Sequence, residues 1–392
     1  MKTITIFIIS ILCYSLINAQ SSIDPILKSI EKNNTGLVAM KKQSEAEIIK
    51  NHTGIYLSNP EAEFNYLWGN PSPIGNRTDI SVTQSFDFPT AYSYKKKIAF
   101  LQDQQSELEY RKLRMETFLN ARLLYVSIVN SLTMKKEYEK RLDHAQKLEK
   151  MFKSKLDLGD ANILEYNKAK LHLLNIKSHA EKNEVDLNLY TSELKLLNGG
   201  IDISITDSSF SPELVPVDFE LWYQEIEKNS PVLMWIKQEI EISEKQEKLT
   251  FAMGLPKLNA GYKSEKVLGE KFQGVSVGIS IPLWENRNEV KYNEIRTIAL
   301  KSMEEDSKLV FYNQLKNSHS KAIALQKTVD EYRILLKSID NTVLLNKALE
   351  KGEITFVEYI MELSLYYDAT DNLISVESEL NKTIALLNQY SE

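Results

Sequence analysis

The sequence predicts a mainly α fold with a small β part, written twice along one chain. Three observations predict it. A motif around Gly159 recurs around Gly352, 193 residues further on. Long segments leading to those glycines hold neither proline nor glycine. Four short segments alternate apolar and polar residues with a period of two, the signature of a strand with one apolar face.

The repeat comes first because it bounds the architecture. Leu158-Gly159-Asp160-Ala161-Asn162-Ile163-Leu164-Glu165-Tyr166 is answered in order by Lys351-Gly352-Glu353-Ile354-Thr355-Phe356-Val357-Glu358-Tyr359. Phe88-Pro89 and Ile281-Pro282 share the same offset, so the stretch between Pro and Gly repeats without a gap. Each copy reads as a helix, a strand pair and one very long helical hairpin, which is a duplication and not a solenoid. Residues 1–19 read as a signal peptide. Residues 20–200 form the first repeat, with strands near 60–68 and 78–88 and a hairpin over 90–197. Residues 201–217 are a linker with a Ser-rich patch, Pro212 and Pro216, and residues 218–392 form the second repeat, with strands near 256–264 and 274–282 and a hairpin over 286–390. The helices that precede the strands, Ser22 to Lys50 and Phe219 to Leu249, carry Glu31-Lys32-Asn33 and Glu227-Lys228-Asn229 at an offset of 196.

At the N-terminus Lys2 precedes an apolar run from Ile4 to Ile17 and a small residue, Ala19. This is the pattern of a secretory signal cleaved near Ala19-Gln20. The other reading, an anchor helix, needs a longer run. Cys13, the one cysteine, lies inside that run behind the bulky Leu12, which disfavours lipid attachment. A cleaved chain then carries no thiol for a disulfide or a metal. The net charge of −6 and pI near 5.7 argue against a nucleic-acid role. No later stretch is apolar enough for a transmembrane helix, although a membrane β-barrel gives only a weak hydropathy signal.

The strands are taken next. Phe64, Tyr66 and Trp68 alternate with Glu63 and Asn65; Ile80, Val82, Phe86 and Phe88 alternate with Ser81, Thr83, Ser85 and Asp87. In the second half Leu258, Ala260 and Tyr262 alternate with Lys257, Asn259 and Lys263, and Val275, Val277, Ile279 and Ile281 alternate with Ser276, Gly278 and Ser280. Turn-rich connections, Gly69 to Asn76 and Ser264 to Gly274, make each pair a β-hairpin. Strands of about ten residues have the length a tilted membrane strand needs, and aromatics near their ends suit an interfacial girdle. Small soluble hairpins packed on the helices would show the same alternation. Four strands cannot close a barrel, so membrane strands would have to be pooled between copies, and three copies supply twelve.

The helical arms are long. Thr90 to Leu156 and Asn286 to Glu350 hold no Pro or Gly, and at 1.5 Å per residue the first would reach roughly 100 Å. Leu101, Leu108, Met115, Leu119 and Val126 step along it at heptad intervals. On the returning arm Leu173, Ile176, Ala180, Asn183, Leu187, Tyr190, Leu194 and Leu197 alternate three and four apart, and Tyr366, Ala369, Leu373, Val376, Leu380, Thr383, Leu387 and Tyr390 repeat the pattern. Such a stripe is a coiled-coil seam. Catalytic chemistry is not legible. The five histidines, His52, His144, His172, His179 and His319, show no metal-binding spacing, with His172 and His179 read as helix-surface residues. No soft-metal cluster, phosphate loop or nucleophile elbow accompanies them. Neither an enzyme nor a cofactor or metal site is expected.

With these parts in place, the chain resembles the TolC family of outer-membrane channel proteins. The resemblance rests on Ile281-Pro282-Leu283-Trp284 at a strand-to-helix turn, on the two Gly-centred tips, and on the duplicated order of helix, strand pair and hairpin. It implies a homotrimer whose strands form a twelve-stranded barrel in outer-membrane lipid and whose helices form a coiled-coil α-barrel through the periplasm. It also implies partners: a periplasmic adaptor (membrane fusion protein) and an inner-membrane pump of RND or ABC type. The tips Leu158, Gly159 and Asp160, and Lys351, Gly352 and Glu353, are then adaptor contacts, beyond their role as turn residues. Glu358 and its repeat mate Glu165 match the acidic position that faces the narrowing pore, where a solvated helix face is the competing reading. A second acid one turn on is replaced by Met361, with Glu362 beside it. The family's compact members point to heavy-metal efflux of RND type. A type I secretion duct, and a periplasmic coiled-coil adaptor or structural protein, are the alternatives.

Overall fold

The computed structural model describes residues 23–210, 215–284, 286–339 and 341–390. The expected signal peptide, with Cys13, lies outside the described residues. The chain divides into two compact units. One comprises residues up to Val38 with Arg114–Gln224 and Asn313–Glu392; the other comprises Ala39–Leu113 and Glu225–Tyr312. Each unit draws on both halves of the sequence repeat.

The element order is α1 (Asp24–Asn33), α2 (Thr35–Asn51), β1 (Glu61–Leu67), β2 (Arg77–Phe86), α3 (Pro89–Leu158), α4 (Ile163–Leu197), α5 (Phe219–Asn229), α6 (Pro231–Met253), β3 (Lys257–Val267), β4 (Glu270–Ser280), α7 (Glu289–Ser338), α8 (Thr342–Glu350) and α9 (Phe356–Asn388). The 70-residue α3 opens on Pro89, whose fixed φ suits a first helical position. The segments expected as single leading helices are each broken once, at equivalent places. Asn34 interrupts the first, accepting a hydrogen bond from Leu37 N at 2.8 Å, and Ser230 interrupts the second, just before Pro231. A residue before proline is pushed out of the helical region.

In the second unit the strands form one antiparallel sheet in the order β1-β2-β3-β4. The two hairpins are joined by β2 against β3, with Val82 opposite Tyr262. β3 and β4 run further than expected and meet in a two-residue turn, Leu268-Gly269, both at positive φ (51° and 91°). This backbone matches the natural twist of a hairpin. The unbroken polar run from Lys263 to Lys266 hides the extra length, because it lacks the apolar-polar alternation of a strand. Buried hydrogen bonds tie α6 to α7 in this unit: Asn293 donates to Thr250 at 3.0 Å, and the hydroxyls of Ser243 and Thr297 lie 2.9 Å apart.

In the first unit the coiled-coil seams lie inward. Ile176, Leu187 and Leu194 on α4 are buried, as are Leu380, Thr383 and Leu387 on α9, while Leu171, Leu174, Val185 and Leu196 are exposed. The second hairpin differs from the expected unbroken arm, because α7 ends at Ser338 and α8 begins at Thr342. The sequence there, Ser338-Ile339-Asp340-Asn341, is rich in short polar side chains that compete for backbone groups, and Ser338 donates to Leu335 O at 2.7 Å. The C-terminus of α4 docks where α1 gives way to α2. The fully buried Asn198 accepts from Ser29 at 2.9 Å, and Asn34 donates to Leu197 O at 2.7 Å.

Gly199, just beyond α4, has φ of 65° and would place a Cβ 2.3 Å from Asn33 O, whereas Gly200, at φ of 86°, faces open space. Gly199→Ala combines a strained backbone with a clash and should destabilise the chain by about 1–3 kcal/mol or more. Thermal unfolding of Gly199→Ala and Gly200→Ala, compared side by side, tests this: the first should show the clearly larger drop in midpoint.

Candidate functional site

The two hairpin ends share one construction. At the first, Gly159 (φ 83°) donates its N–H to Leu156 O at 3.0 Å, and Asp160 N donates to Lys155 O at 2.8 Å. At the second, Gly352 (φ 74°) donates to Leu349 O at 3.2 Å, and Glu353 N donates to Ala348 O at 2.9 Å. A residue at positive φ closes each helix and satisfies carbonyls that the helix leaves open. Leu158, Gly159, Asp160, Lys351, Gly352 and Glu353 are all exposed. The tips therefore present backbone, the charged Asp160, Lys351 and Glu353, and one large apolar side chain, Leu158, to whatever meets them.

The two glutamates picked out by the repeat have a local task. Asn162 accepts from Glu165 N at 3.0 Å, and its own N–H donates to Glu165 Oε2 at 3.1 Å. Thr355 accepts from Glu358 N at 3.2 Å and donates to Glu358 Oε2 from its N–H at 2.8 Å and its hydroxyl at 2.9 Å. These are capping boxes, in which the third helical residue reaches back to the N-cap. The signal was present in the sequence as Asn-x-x-Glu and Thr-x-x-Glu. Hydrogen bonds from Thr355 backbone and side chain hold the Glu358 carboxyl below its usual range, as does a carboxylate that accepts donors in its charged form. Glu358 is exposed and Glu165 is partly so.

Above the tips the hairpins share a core. Leu148 and Phe152 of α3, Ala169 of α4, Leu349 of α8, and Phe356, Tyr359 and Leu363 of α9 are buried together. Phe152 and Phe356 meet edge to face, with centroids 4.7 Å apart. The repeat's two tyrosines part company here. Tyr166 donates to Glu149 at 2.9 Å, while the fully buried Tyr359 donates to Asn346 Oδ1 at 2.7 Å and lies 2.6 Å from His144 Nε2. His144 Nε2 is 2.9 Å from Asn346 Oδ1, and Nδ1 is 3.2 Å from the Tyr367 hydroxyl. Burial raises Tyr359 well above the ordinary phenol range and pushes Tyr367 up to about 12, so both stay neutral hydrogen-bonding groups. One helical turn away, buried Arg141 forks onto Asp371 at 2.5 and 2.9 Å and stacks on the Tyr367 ring at 4.3 Å. Nothing in the sequence singled out His144 among five histidines, because its partners come from two other helices, α8 and α9.

The second candidate surface is the sheet. Phe64, Ile80, Val82, Leu258, Tyr262, Val275, Val277 and Ile279 share one face by register and are all exposed, Val275 at 88%. The opposite face carries Glu63, Asn65, Ser81, Thr83, Asn259 and Ser276. Trp68 beyond β1 and Trp284 beyond β4 are about equally exposed. The reading of small hairpins packed on helices does not describe this face. Among the described residues no helix is long and apolar enough to cross a membrane, and no group of His, Cys, Asp or Glu is placed to hold a metal.

The capping role of Glu358 generates a pH prediction. Its carboxyl is depressed in the fold, so its stabilisation is complete above the ordinary carboxylate range and is lost as pH falls through the lower folded value. Amide exchange at the start of α9 should therefore quicken in acid in the parent chain. Glu358→Gln, which can still cap, should lack that pH dependence, and Glu358→Ala should exchange fast at every pH.

Neither a protein-family model nor a curated protein sequence matches the chain. Solved structures do. The outer-membrane channel OprN matches with a TM-score of 0.80 at 12% identity, over 94% of this chain and 89% of the other. The Campylobacter jejuni CmeC outer membrane channel matches with a TM-score of 0.78 at 13% identity, over 94% and 85%. CusC, studied for the conformational changes accompanying folding and transmembrane channel formation, matches with a TM-score of 0.79 at 14% identity, over 96% and 95%. The likeness covers most of this chain in each case, and the chain has the fold of the TolC-type outer-membrane channels.

Proposed function

We propose that three copies of this chain form a channel-tunnel, the outer-membrane exit duct of a tripartite efflux system. The observation that carries the reading is the sheet. One face is apolar and bare, the other is largely polar apart from Leu67, Val267 and Phe272 near the turn end, and among the described residues both edges are open. An 11-residue strand such as β4 is about 36 Å long, and a tilt of about 45° brings its height to the roughly 25 Å apolar band of an outer-membrane barrel. Lipid satisfies the apolar face, and strands from two further copies satisfy the edges. Three sheets of four give the twelve strands of a barrel with a water-filled lumen. The exposed stripe Leu171, Leu174, Val185 and Leu196 offers the helices a face to bury against another copy.

The tips Leu158-Gly159-Asp160 and Lys351-Gly352-Glu353 are the contact for a periplasmic adaptor, behind which stands an inner-membrane pump of RND or ABC type. A close-packed helical partner needs small residues at such a contact. Glu358 and Glu165, held by their capping boxes at the starts of α9 and α4, set negative charge near the tunnel end, where a ring of carboxylates favours cations. Heavy-metal efflux is the cargo assignment, on the resemblance to the compact members of the family.

Three measurements test this. Outer-membrane fractions should contain a heat-sensitive band of three chains, and a soluble periplasmic monomer would overturn the duct. A deletion strain challenged with divalent metals, bile salts, dyes and antibiotics should be sensitive to metals alone; sensitivity to amphiphiles replaces heavy metals with drugs as cargo. Glu358→Gln should keep the three-chain band and increase leakage of large anions through reconstituted channels, and unchanged selectivity would remove Glu358 from the pore lining.

A further inference from the structure

We infer that Lys266 and Lys271 form a binding site for the phosphate of an anionic membrane lipid, on the apolar face of the sheet at its turn end. The inference rests on the reading that this face meets lipid. Lys266 of β3 stands directly opposite Lys271 of β4, and both side chains are exposed. The register continues the row through Thr78 to Tyr66. Alternation puts this row on the same face as Phe64, Ile80, Tyr262 and Val275.

Like charges directly opposite each other destabilise a strand pair, with Cβ atoms about 5 Å apart. Nothing beside this pair offsets the repulsion. The next row on the same face is Phe64, Ile80, Ser264 and Gln273, without a carboxylate. The acids at this end of the sheet, Asp79, Glu265 and Glu270, fall at the alternate positions and belong to the other face. There Arg77 pairs with Asp79 at 2.8 Å and with Glu265 at 3.1 Å. Among the described residues neither lysine ammonium has an ion-pair partner. The charges at the turn end are therefore sorted by face: a compensated cluster on the polar side and two uncompensated cations on the apolar side.

The height of the pair identifies the anion. The chain enters and leaves the sheet through α2, α3, α6 and α7, so both hairpin turns lie at the far end, and the lysine row is the last on the apolar face, one pair (Val267 and Glu270, on the other face) short of the Leu268-Gly269 turn. Tyr66 shares the row, and Trp68 follows it at 80% exposure, meeting Tyr66 edge to face at 5.7 Å. Amphipathic rings settle at the headgroup level of a bilayer. Phosphate is the fixed anion at that level, and a lysine near the surface is drawn to it. The rows below, with Phe64 and Ile80 in the first and Val82, Tyr262 and Val275 in the second, receive the acyl chains, which is why a lipid phosphate is favoured over a free one.

The test uses the full chain purified in neutral detergent and washed after exposure to phosphatidylglycerol or phosphatidylcholine, with retained lipid measured by mass spectrometry. The parent should retain phosphatidylglycerol in preference to phosphatidylcholine by about tenfold or more. Lys266→Gln with Lys271→Gln should abolish that preference, and Lys257→Gln with Lys263→Gln, the same charge change on the other face, should preserve it. Equal retention by the parent and the Lys266/Lys271 variant would falsify the site. Displacement of the lipid by excess inorganic phosphate would reassign it to free anions and overturn the lipid claim. A three-chain band in the membrane fraction is scored in each preparation. Its absence throughout overturns the membrane reading beneath the proposal, whereas an inserted trimer without lipid preference overturns this site alone.

Discussion

A β-sheet needs partners on its faces and at its edges, and the sheet of this chain has them at neither place. Among the described residues β1 and β4 have no strand on their outer edges, and no helix covers the apolar face. In water such a sheet would be an aggregation template. In lipid an unpaired edge costs several kcal/mol per group. Only a closed ring of strands meets both demands, so the proposed oligomer and membrane location both answer a single constraint on the backbone. Strand length, aromatic placement and the sorting of side chains between the two faces are its further consequences.

The helices meet a different demand. An arm as long as α3 or α7 is held by its seam, so the unit that contains the tips depends on buried Leu, Ile and Ala at three-four spacing. Where the two hairpins end, small apolar contacts give way to a polar cluster around His144. Tyr359, Asn346 and Tyr367 each satisfy the imidazole, and the buried Arg141 is matched by Asp371. A polar group so deep must be partnered to be tolerated. The cluster therefore fixes which turn of α3 lies against α8 and α9, a register that apolar packing alone would leave loose. The capping boxes below it begin α4 and α9 cleanly, so the tips remain compact turns.

Much of this was legible from residues. The duplication, the seams on α4 and α9, the four strands and the two turn glycines all appear as spacing, and spacing survives folding unchanged. Other features were visible but had no unique meaning. Glu165 and Glu358 stood out as repeated acids, yet the Asn and Thr three residues before them give each a capping role that spacing alone did not separate from pore lining. Ser230 before Pro231 announces a helix break, whereas Asn34 at the equivalent place has no proline to announce it. The break between Ser338 and Thr342 depends on short polar side chains that also occur inside unbroken helices.

By itself the sequence determined the periodic features: which residues form helices and strands, which stripe of each helix is apolar, which face of each strand is polar, and that the pattern occurs twice. Those are local properties, set by 3.6-residue and two-residue periods. The tertiary structure alone decided that β2 pairs with β3 and joins the two repeats in one sheet, that its apolar face stays bare, that His144 finds partners on α8 and α9, and that Lys266 faces Lys271. Each is a meeting between residues distant along the chain or a choice of strand register. Register and long-range contact are settled by the collective packing of whole elements, which no local period encodes.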